Sequence, residues 1–317
     1  MSDKHKIIID TDPGIDDAMA IHLAFADPQI EVVGLTCIFG NVNQEQATRN
    51  ALWLAESAHY HCDVASGASQ PLVQAPNEPS YYVHGDEGFG DLGAQTPVGA
   101  AHELDAADYI IHMCRSHPGE ITLCPVGPLT NIAIALQRDP DLVKVVKSVV
   151  IMGGAAFVPG NVTAFAEANI WNDPHAAEIV FAADWEVVMI GLDVTSQVTC
   201  SEDDYKLIAD GSPKIGQFIL DISQFYTRFY HSVLGEEVCV LHDPSAIIAI
   251  TNPELFDYRH EPIAVLCDGE EIGQTVPDSS LSRTPTKIAV GVNVEKVKGL
   301  YLSRSAKADA SKARRSQ

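Results

Sequence analysis

Short β-branched runs alternate along the chain with longer stretches whose apolar positions recur at helical spacing, and this alternation predicts a parallel sheet flanked by helices. Strands are expected near residues 6–9, 31–37, 120–124, 147–152 and 186–191. Helices are expected near 17–26, 43–58, 106–116, 129–137 and 175–183, with further helical stretches near 215–230 and 245–250 and a closing hairpin over 262–292. No linker, composition shift or internal repeat divides the chain. The expected fold is therefore one α/β domain, residues 1–302, built on a mostly parallel central sheet flanked by helices. Residues 303–317 hold five of the 20 basic residues and one of the 43 acidic ones, and read as a solvated basic tail.

One segment breaks the pattern. The 36 residues from 67 to 102 have little periodicity, whereas connections in α/β units usually run about 2–6 residues. Aromatics and a histidine at its tip, Tyr81-Tyr82-Val83-His84-Gly85-Asp86-Glu87-Gly88-Phe89, favour a lid over a spacer.

Composition narrows the function. A net charge of −23 repels the phosphate backbone and anionic membranes, so nucleic-acid and membrane-surface roles are set aside. The polar start runs straight into Ile7-Ile8-Ile9 with no signal-peptide core, and no apolar run approaches the ~18 residues that span a bilayer. The seven scattered cysteines read as buried thiols in a reducing, cytoplasmic setting.

The sharpest motif is Asp10-Thr11-Asp12-Pro13-Gly14-Ile15-Asp16-Asp17-Ala18. Four carboxylates cluster where an apolar strand ends and a helix begins, the edge of a parallel sheet at which ligands bind. They repel one another unless a cation sits among them, and a hard divalent ion with oxygen ligands fits. Asp16 or Asp17 could instead cap the helix, and Asp10 could brace the turn. Asp10-Thr11-Asp12 taken alone equally suits a magnesium-dependent phosphohydrolase with Asp10 as nucleophile.

Later segments could complete a site. Asn41 follows the second strand as a ligand contact, with Asn43 as a helix cap. Pro125-Val126-Gly127-Pro128-Leu129-Thr130-Asn131 could offer a backbone carbonyl to a metal, and Met152-Gly153-Gly154, Asn161 and Glu167-Ala168-Asn169 supply acid and amide groups suited to hydroxyls. His242-Asp243-Pro244 is by itself a weak signal, since Asp-Pro routinely starts a helix, as Asp173-Pro174 also would.

In order along the chain, these motifs together resemble the inosine-uridine preferring nucleoside hydrolase family over roughly residues 6–300. The resemblance implies hydrolysis of the N-glycosidic bond of ribonucleosides to ribose and free base. It implies a Ca2+ ion held by Asp12, Asp17, Asp243 and the Val126 carbonyl, with one water and two ribose hydroxyls completing the shell. Asp12 is then the base that activates water, and Asp10 its structural support. Asp16, Asn41, Met152, Asn161, Glu167 and Asn169 line the sugar, with His84 on the lid closing over the base. His242 is the candidate acid for the leaving base, against the alternative of a core histidine. Tyr226 and Tyr230, at i, i+4 helical spacing, suit base stacking or ordinary packing alike. Ala168 departs from the phenylalanine that the family often carries there, which leaves the preferred nucleobase open. The resemblance also implies a homo-oligomer, dimeric or tetrameric, serving nucleoside salvage or catabolism. A phosphohydrolase would want a basic cluster for phosphate, absent outside the tail, and a catalytically silent nucleoside-binding protein would not need every ligand in place.

Overall fold

Ile7, Ile8 and Ile9 are apolar without a break because the strand that holds them is covered on both faces. In the computed structural model, which describes residues 4–309, Ile7 and Ile9 enter one core layer and Ile8 the other. In chain order the strands are β1 (His5–Thr11), β2 (Ile30–Cys37), β3 (Asp63–Ser66), β4 (Ile121–Pro125), β5 (Ser148–Met152), β6 (Val187–Ile190), β7 (Thr199–Ser201), β8 (Val238–Val240), β9 (Phe256–Glu261), β10 (Ile263–Val265), β11 (Thr275–Pro277) and β12 (Thr286–Val292). The helices are α1 (Ile15–Ala26), α2 (Gln44–Ser57), α3 (Tyr81–His84), α4 (Ala106–Ser116), α5 (Thr130–Arg138), α6 (Ala168–Asn172), α7 (Pro174–Ala182), α8 (Leu192–Thr195), α9 (Glu202–Gly211), α10 (Ile215–Leu234), α11 (His242–Thr251) and α12 (Val294–Ser305).

Eight strands form one sheet in the order β3-β2-β1-β4-β5-β6-β12-β9, parallel throughout except for the β12–β9 pair. The five expected strands and the main expected helices are present, with ends displaced by a few residues at most. The closing hairpin over 262–292 needs correction: the hairpin is confined to β10 and β11, whereas β12 enters the main sheet between β6 and β9. There both edges of its backbone find partners, which a terminal hairpin strand would lack.

Helix α1 shows how the layers close. Every residue from Ile15 to Phe25 is buried, because α11, α10 and α12 all pack on it above the sheet. A helix apolar nearly all round is a helix with no solvent face. Strand order reverses between β1 and β4, so their carboxyl ends open a crevice at the point where α/β folds bind ligands. Asp10, Asp12 and Val126 all leave the sheet there.

The expected tail boundary at residue 303 falls inside α12, which runs to Ser305, and residues 310–317 lie outside the described residues. The Arg304 guanidinium lies 2.6 Å from the carboxylate of Asp27, a fully buried residue, and so fastens the last helix to the turn after α1. Removing one partner of a buried ion pair leaves a desolvated charge alone. Arg304→Ala should therefore lower unfolding stability by about 3 kcal/mol, read from urea or thermal melts.

Candidate functional site

Asp17 shows how the first strand-to-helix turn is built. Its Oδ2 accepts from Gly14 N at 3.0 Å, closing the start of α1, and from Asn41 Nδ2 at 2.9 Å. Its Oδ1 accepts from Thr11 Oγ1 at 2.5 Å and Asp12 N at 3.2 Å. The capping role considered for Asp17 is thus real, but it turns the carboxylate inward. Asp10 lies beneath, taking Thr36 Oγ1 at 2.5 Å and Asn131 Nδ2 at 2.8 Å on Oδ1. It is 1% exposed and outside the cleft, a brace for the turn and not a nucleophile facing substrate.

Asp12 accepts from Asn41 N at 2.6 Å on Oδ2, while its buried Oδ1 has no hydrogen-bond partner. Glycines make room for it. A Cβ on Gly40, whose φ is +155°, would come within 2.1 Å of Asp12 Oδ2, and one on Gly127 within 2.5 Å of Oδ1.

Asp16, Asp17 and Asp243 bring carboxylate oxygens within 4.8 Å of one another. This grouping adds Asp16, which the sequence reading had placed on the sugar, and does not include Asp12. Asp173 caps α7 through Ala176 N at 3.0 Å, as an Asp-Pro usually does; Asp243, in the first turn of α11, sits among the acids instead. The Val126 carbonyl opens on the same cleft but accepts from Asn169 Nδ2 at 2.9 Å, so one of its two lone pairs is engaged.

Above this floor lies a cleft of about 250 Å³. It gathers Asp16, Asn41, His84, Val126, Met152, Asn161, Glu167, Asn169, Tyr226, Tyr230, His242 and Asp243, twelve of the fifteen residues singled out from sequence. Asp10, Asp12 and Asp17 lie below its surface. Glu167 caps α6, its Oε2 accepting from Gly154 N, Asn169 N and Ile170 N at 2.9, 3.0 and 3.2 Å. Asn161 is exposed at the rim, and its Oδ1 holds Ala168 N at 3.0 Å.

The opposite wall is aromatic. His84, at the end of α3 in the long segment, accepts from Ile15 N at 3.1 Å on Nδ1 and packs 5.7 Å from the Tyr226 ring. His242 bonds through both nitrogens, Nδ1 to Thr195 Oγ1 at 2.8 Å and Nε2 to Tyr230 Oη at 2.7 Å. Tyr230 Oη lies 3.4 Å from Tyr226 Oη, which donates to Asp16 Oδ2 at 3.2 Å.

The family model described as inosine-uridine preferring nucleoside hydrolase matches residues 7–299. The chain belongs to this nucleoside hydrolase family. Uridine nucleosidase 1 of Arabidopsis thaliana is 40% identical over 306 residues, covering 93% of this chain and 91% of its own. The inosine-uridine preferring nucleoside hydrolase of Crithidia fasciculata is 36% identical over 304 residues, 94% of this chain and 96% of its own. Among solved structures, a plant nucleoside hydrolase superposes with a TM-score of 0.92 at 35% identity, covering 95% of this chain and 99% of its own. A purine-preferring ribonucleoside hydrolase from Gardnerella vaginalis does so with a TM-score of 0.92 at 34% identity, covering 96% and 99%. The activity is hydrolysis of N-glycosyl bonds of ribonucleosides, and a phosphohydrolase built on Asp10 is set aside.

The charges of the hydrolase site are out of balance. Burial pushes Asp10 and Asp16 up to about 7, with the neighbouring Asp17 adding to the effect on Asp16. Burial and then acidic neighbours push Asp12 and Asp243 well above the usual carboxylate range, and burial raises Asp17 against the pull of four hydrogen-bond donors. Burial also drives the other way on the histidines, bringing His84 down to about 3 and His242 to about 4. Among the described residues no lysine or arginine lines the cleft to offset the acids. Buried Asp12 Oδ1 and Asp16 Oδ1 have no hydrogen-bond donor among the described residues, and carboxylate oxygens of Asp16, Asp17 and Asp243 converge, so the donor set fits a hard divalent cation.

Sequence reasoning gave no role to Thr11, Thr36, Gly40 or Thr195. Each acts through one hydroxyl or one missing Cβ, which leaves no pattern along the chain. Asn131 stood in a quoted motif, yet its contact with Asp10 joins residues 121 positions apart.

The raised carboxylates fix a sign. A carboxyl whose folded pKa exceeds its unfolded value favours the folded state below the unfolded value, near 4, and loses that advantage as pH rises through the folded value. Without a divalent ion the hydrolase should lose stability between about pH 4 and 7. A hard divalent cation that binds there should then raise the thermal midpoint more at pH 8 than at pH 5, and its binding at pH 7 should release protons, measured by calorimetry in buffers of different ionisation enthalpy.

Proposed function

We propose that this hydrolase is calcium-dependent and cleaves both purine and pyrimidine ribonucleosides, inosine and uridine among them, in nucleoside salvage or catabolism. The observation that carries the reading is the convergence of buried, uncompensated carboxylates on the floor of a cleft with sugar-binding amides on one side and aromatic rings on the other. Relatives named for uridine, for inosine and uridine together, and for purines support both base classes.

Asp12, Asp17 and Asp243 with the Val126 carbonyl would hold the ion, and Asp16 stands close enough to share it. When bound, calcium supplies positive charge that makes a neighbouring water more acidic and anchors two ribose hydroxyls. The free Oδ1 of Asp12 takes the proton of the attacking water, a role typically worth ~10²–10⁴ in rate. Asn169 spends its Nδ2 on Val126 and Met152 carbonyls, which turns its Oδ1 toward a sugar hydroxyl. Glu167 anchors one oxygen on three backbone N–H groups and presents the other, and Asn41 and Asn161 complete the grip on the sugar. Such contacts on non-reacting atoms orient the ribose for loss of its base.

The departing base needs a proton. With both His242 nitrogens bonded, the base takes its proton from the Tyr226 hydroxyl, which turns from Asp16 to deliver it; solvent returns to the tyrosine the proton that Asp12 took from water, while Tyr230 and His242 hold the hydroxyl in place by hydrogen bonds. His84 closes the cleft from α3, and Ala168 leaves the sugar end roomy. Seven unpaired cysteines support a cytoplasmic setting, and no helix among the described residues is long and apolar enough to cross a membrane. A dimer or tetramer, and the division into a catalytic unit followed by a basic tail, complete this reading.

Asp12→Ala should reduce release of reducing sugar from inosine and uridine by at least ~10²-fold, and substantial retained turnover would remove it as base. Exhaustive chelation, checked by elemental analysis, should abolish activity, and calcium should restore it. His242→Ala should slow inosine far more than 4-nitrophenyl riboside, whose leaving group departs without a proton; equal slowing would refute the leaving-group role.

A further inference from the structure

An ionised carboxylate can only accept hydrogen bonds, and with Asp16 ionised beside a bound cation this fixes the direction of the chain that ends on it. Tyr226 gives its proton to Asp16 Oδ2, so its oxygen accepts from Tyr230. Tyr230, having donated, accepts from His242 Nε2–H. Thr195 is fully buried at the end of α8, and among the described residues its Oγ1 bonds only His242 Nδ1, at 2.8 Å. Were Nδ1 protonated, the Thr195 hydroxyl hydrogen would be buried with no acceptor, at a cost comparable to a lost hydrogen bond. Thr195 therefore donates and Nδ1 accepts. Its placement is rigid as well: Asp193 on the same turn accepts from Ala156 N and Phe157 N at 3.0 and 2.8 Å, tying α8 to the loop after β5.

We propose that Thr195 is a positioning residue of this hydrolase, its hydroxyl holding His242 as the Nε2–H tautomer so that the protons of Tyr230 and Tyr226 all point from His242 toward Asp16. Thr195 touches neither sugar nor base. It acts through His242, so this inference rests on the reading that the tyrosine–histidine chain serves the leaving base. Without the Thr195 hydroxyl the ring is free to flip or change tautomer, and the aligned chain breaks at its buried end.

Thr195→Val keeps the side-chain volume and removes the donor, and Thr195→Ser keeps the donor. In the calcium-loaded enzyme, Thr195→Val should lower kcat on inosine roughly tenfold, the rate equivalent of about one buried hydrogen bond, with KM little changed. Turnover of 4-nitrophenyl riboside should be unchanged, and Thr195→Ser should restore inosine. Nitrogen NMR of the His242 ring should show a protonated Nε2 and bare Nδ1 in the wild type and in Thr195→Ser, and a mixture in Thr195→Val. Equal slowing on both substrates, or no rescue by serine, would make Thr195 merely structural and overturn the proposal; so would an unchanged ring spectrum in Thr195→Val. If His242→Ala itself slows both substrates alike, the leaving-group reading fails, and the spectrum still decides whether Thr195 sets the tautomer.

Discussion

The structure turns on a cost: buried acidic groups at the end of β1 with no lysine or arginine among the described residues lining the cleft to meet them. Two like charges about 4 Å apart cost about 4 kcal/mol at an effective dielectric of 20, while one hydrogen bond returns roughly 1 kcal/mol. Donors from Thr11, Thr36, Asn41, Asn131 and the start of α1 reduce the cost without cancelling it. The remainder is why the acids cluster closely enough to share a cation, and Asp12 has Gly40 and Gly127 beside it, which bring backbone and no side chain.

Opposite this floor stands a wall of neutral groups. Two histidines kept neutral by burial and two tyrosines face the same cleft as the acids. This separation suits the reaction, because breaking a glycosidic bond leaves positive character on the sugar and negative character on the base. On the proposed reading, acids near the sugar would stabilise the first and hydroxyls near the base would meet the second. One hydrogen-bonded chain, Thr195 to His242 to Tyr230 to Tyr226 to Asp16, crosses between the two halves.

The α/β class and the strand-end placement of the acids were legible because both rest on local patterns: the apolar run at Ile7 to Ile9 and the Asp-rich turn after it. Expected strands fell short or long by a residue or two where hydrogen bonding, and not hydrophobicity, sets the end, as at Asp10 and Thr11 in β1. Helix α9 was not expected because its buried face is carried by Tyr205 and Ile208 amid charge. β12 was taken for half of a hairpin because nearness in sequence suggested β11 as its partner, and only the sheet offered two. In the site, residues with several functions in one motif were found, and lone hydroxyls such as Thr195 were not. The role of Asp16 shifted for a related reason: spacing places it beside Asp17 but does not say which way it turns.

The surface charge has a consequence for what enters the cleft. The chain carries a net charge of −23, and among the described residues its cleft is lined by acids and by no lysine or arginine. A nucleoside is uncharged and meets this field without penalty. On the proposed reading a nucleotide would bring its phosphate toward Asp16, Glu167 and Asp243, and among the described residues the cleft offers no guanidinium or ammonium to receive it. The acids that would serve the sugar would then also disfavour a phosphorylated substrate.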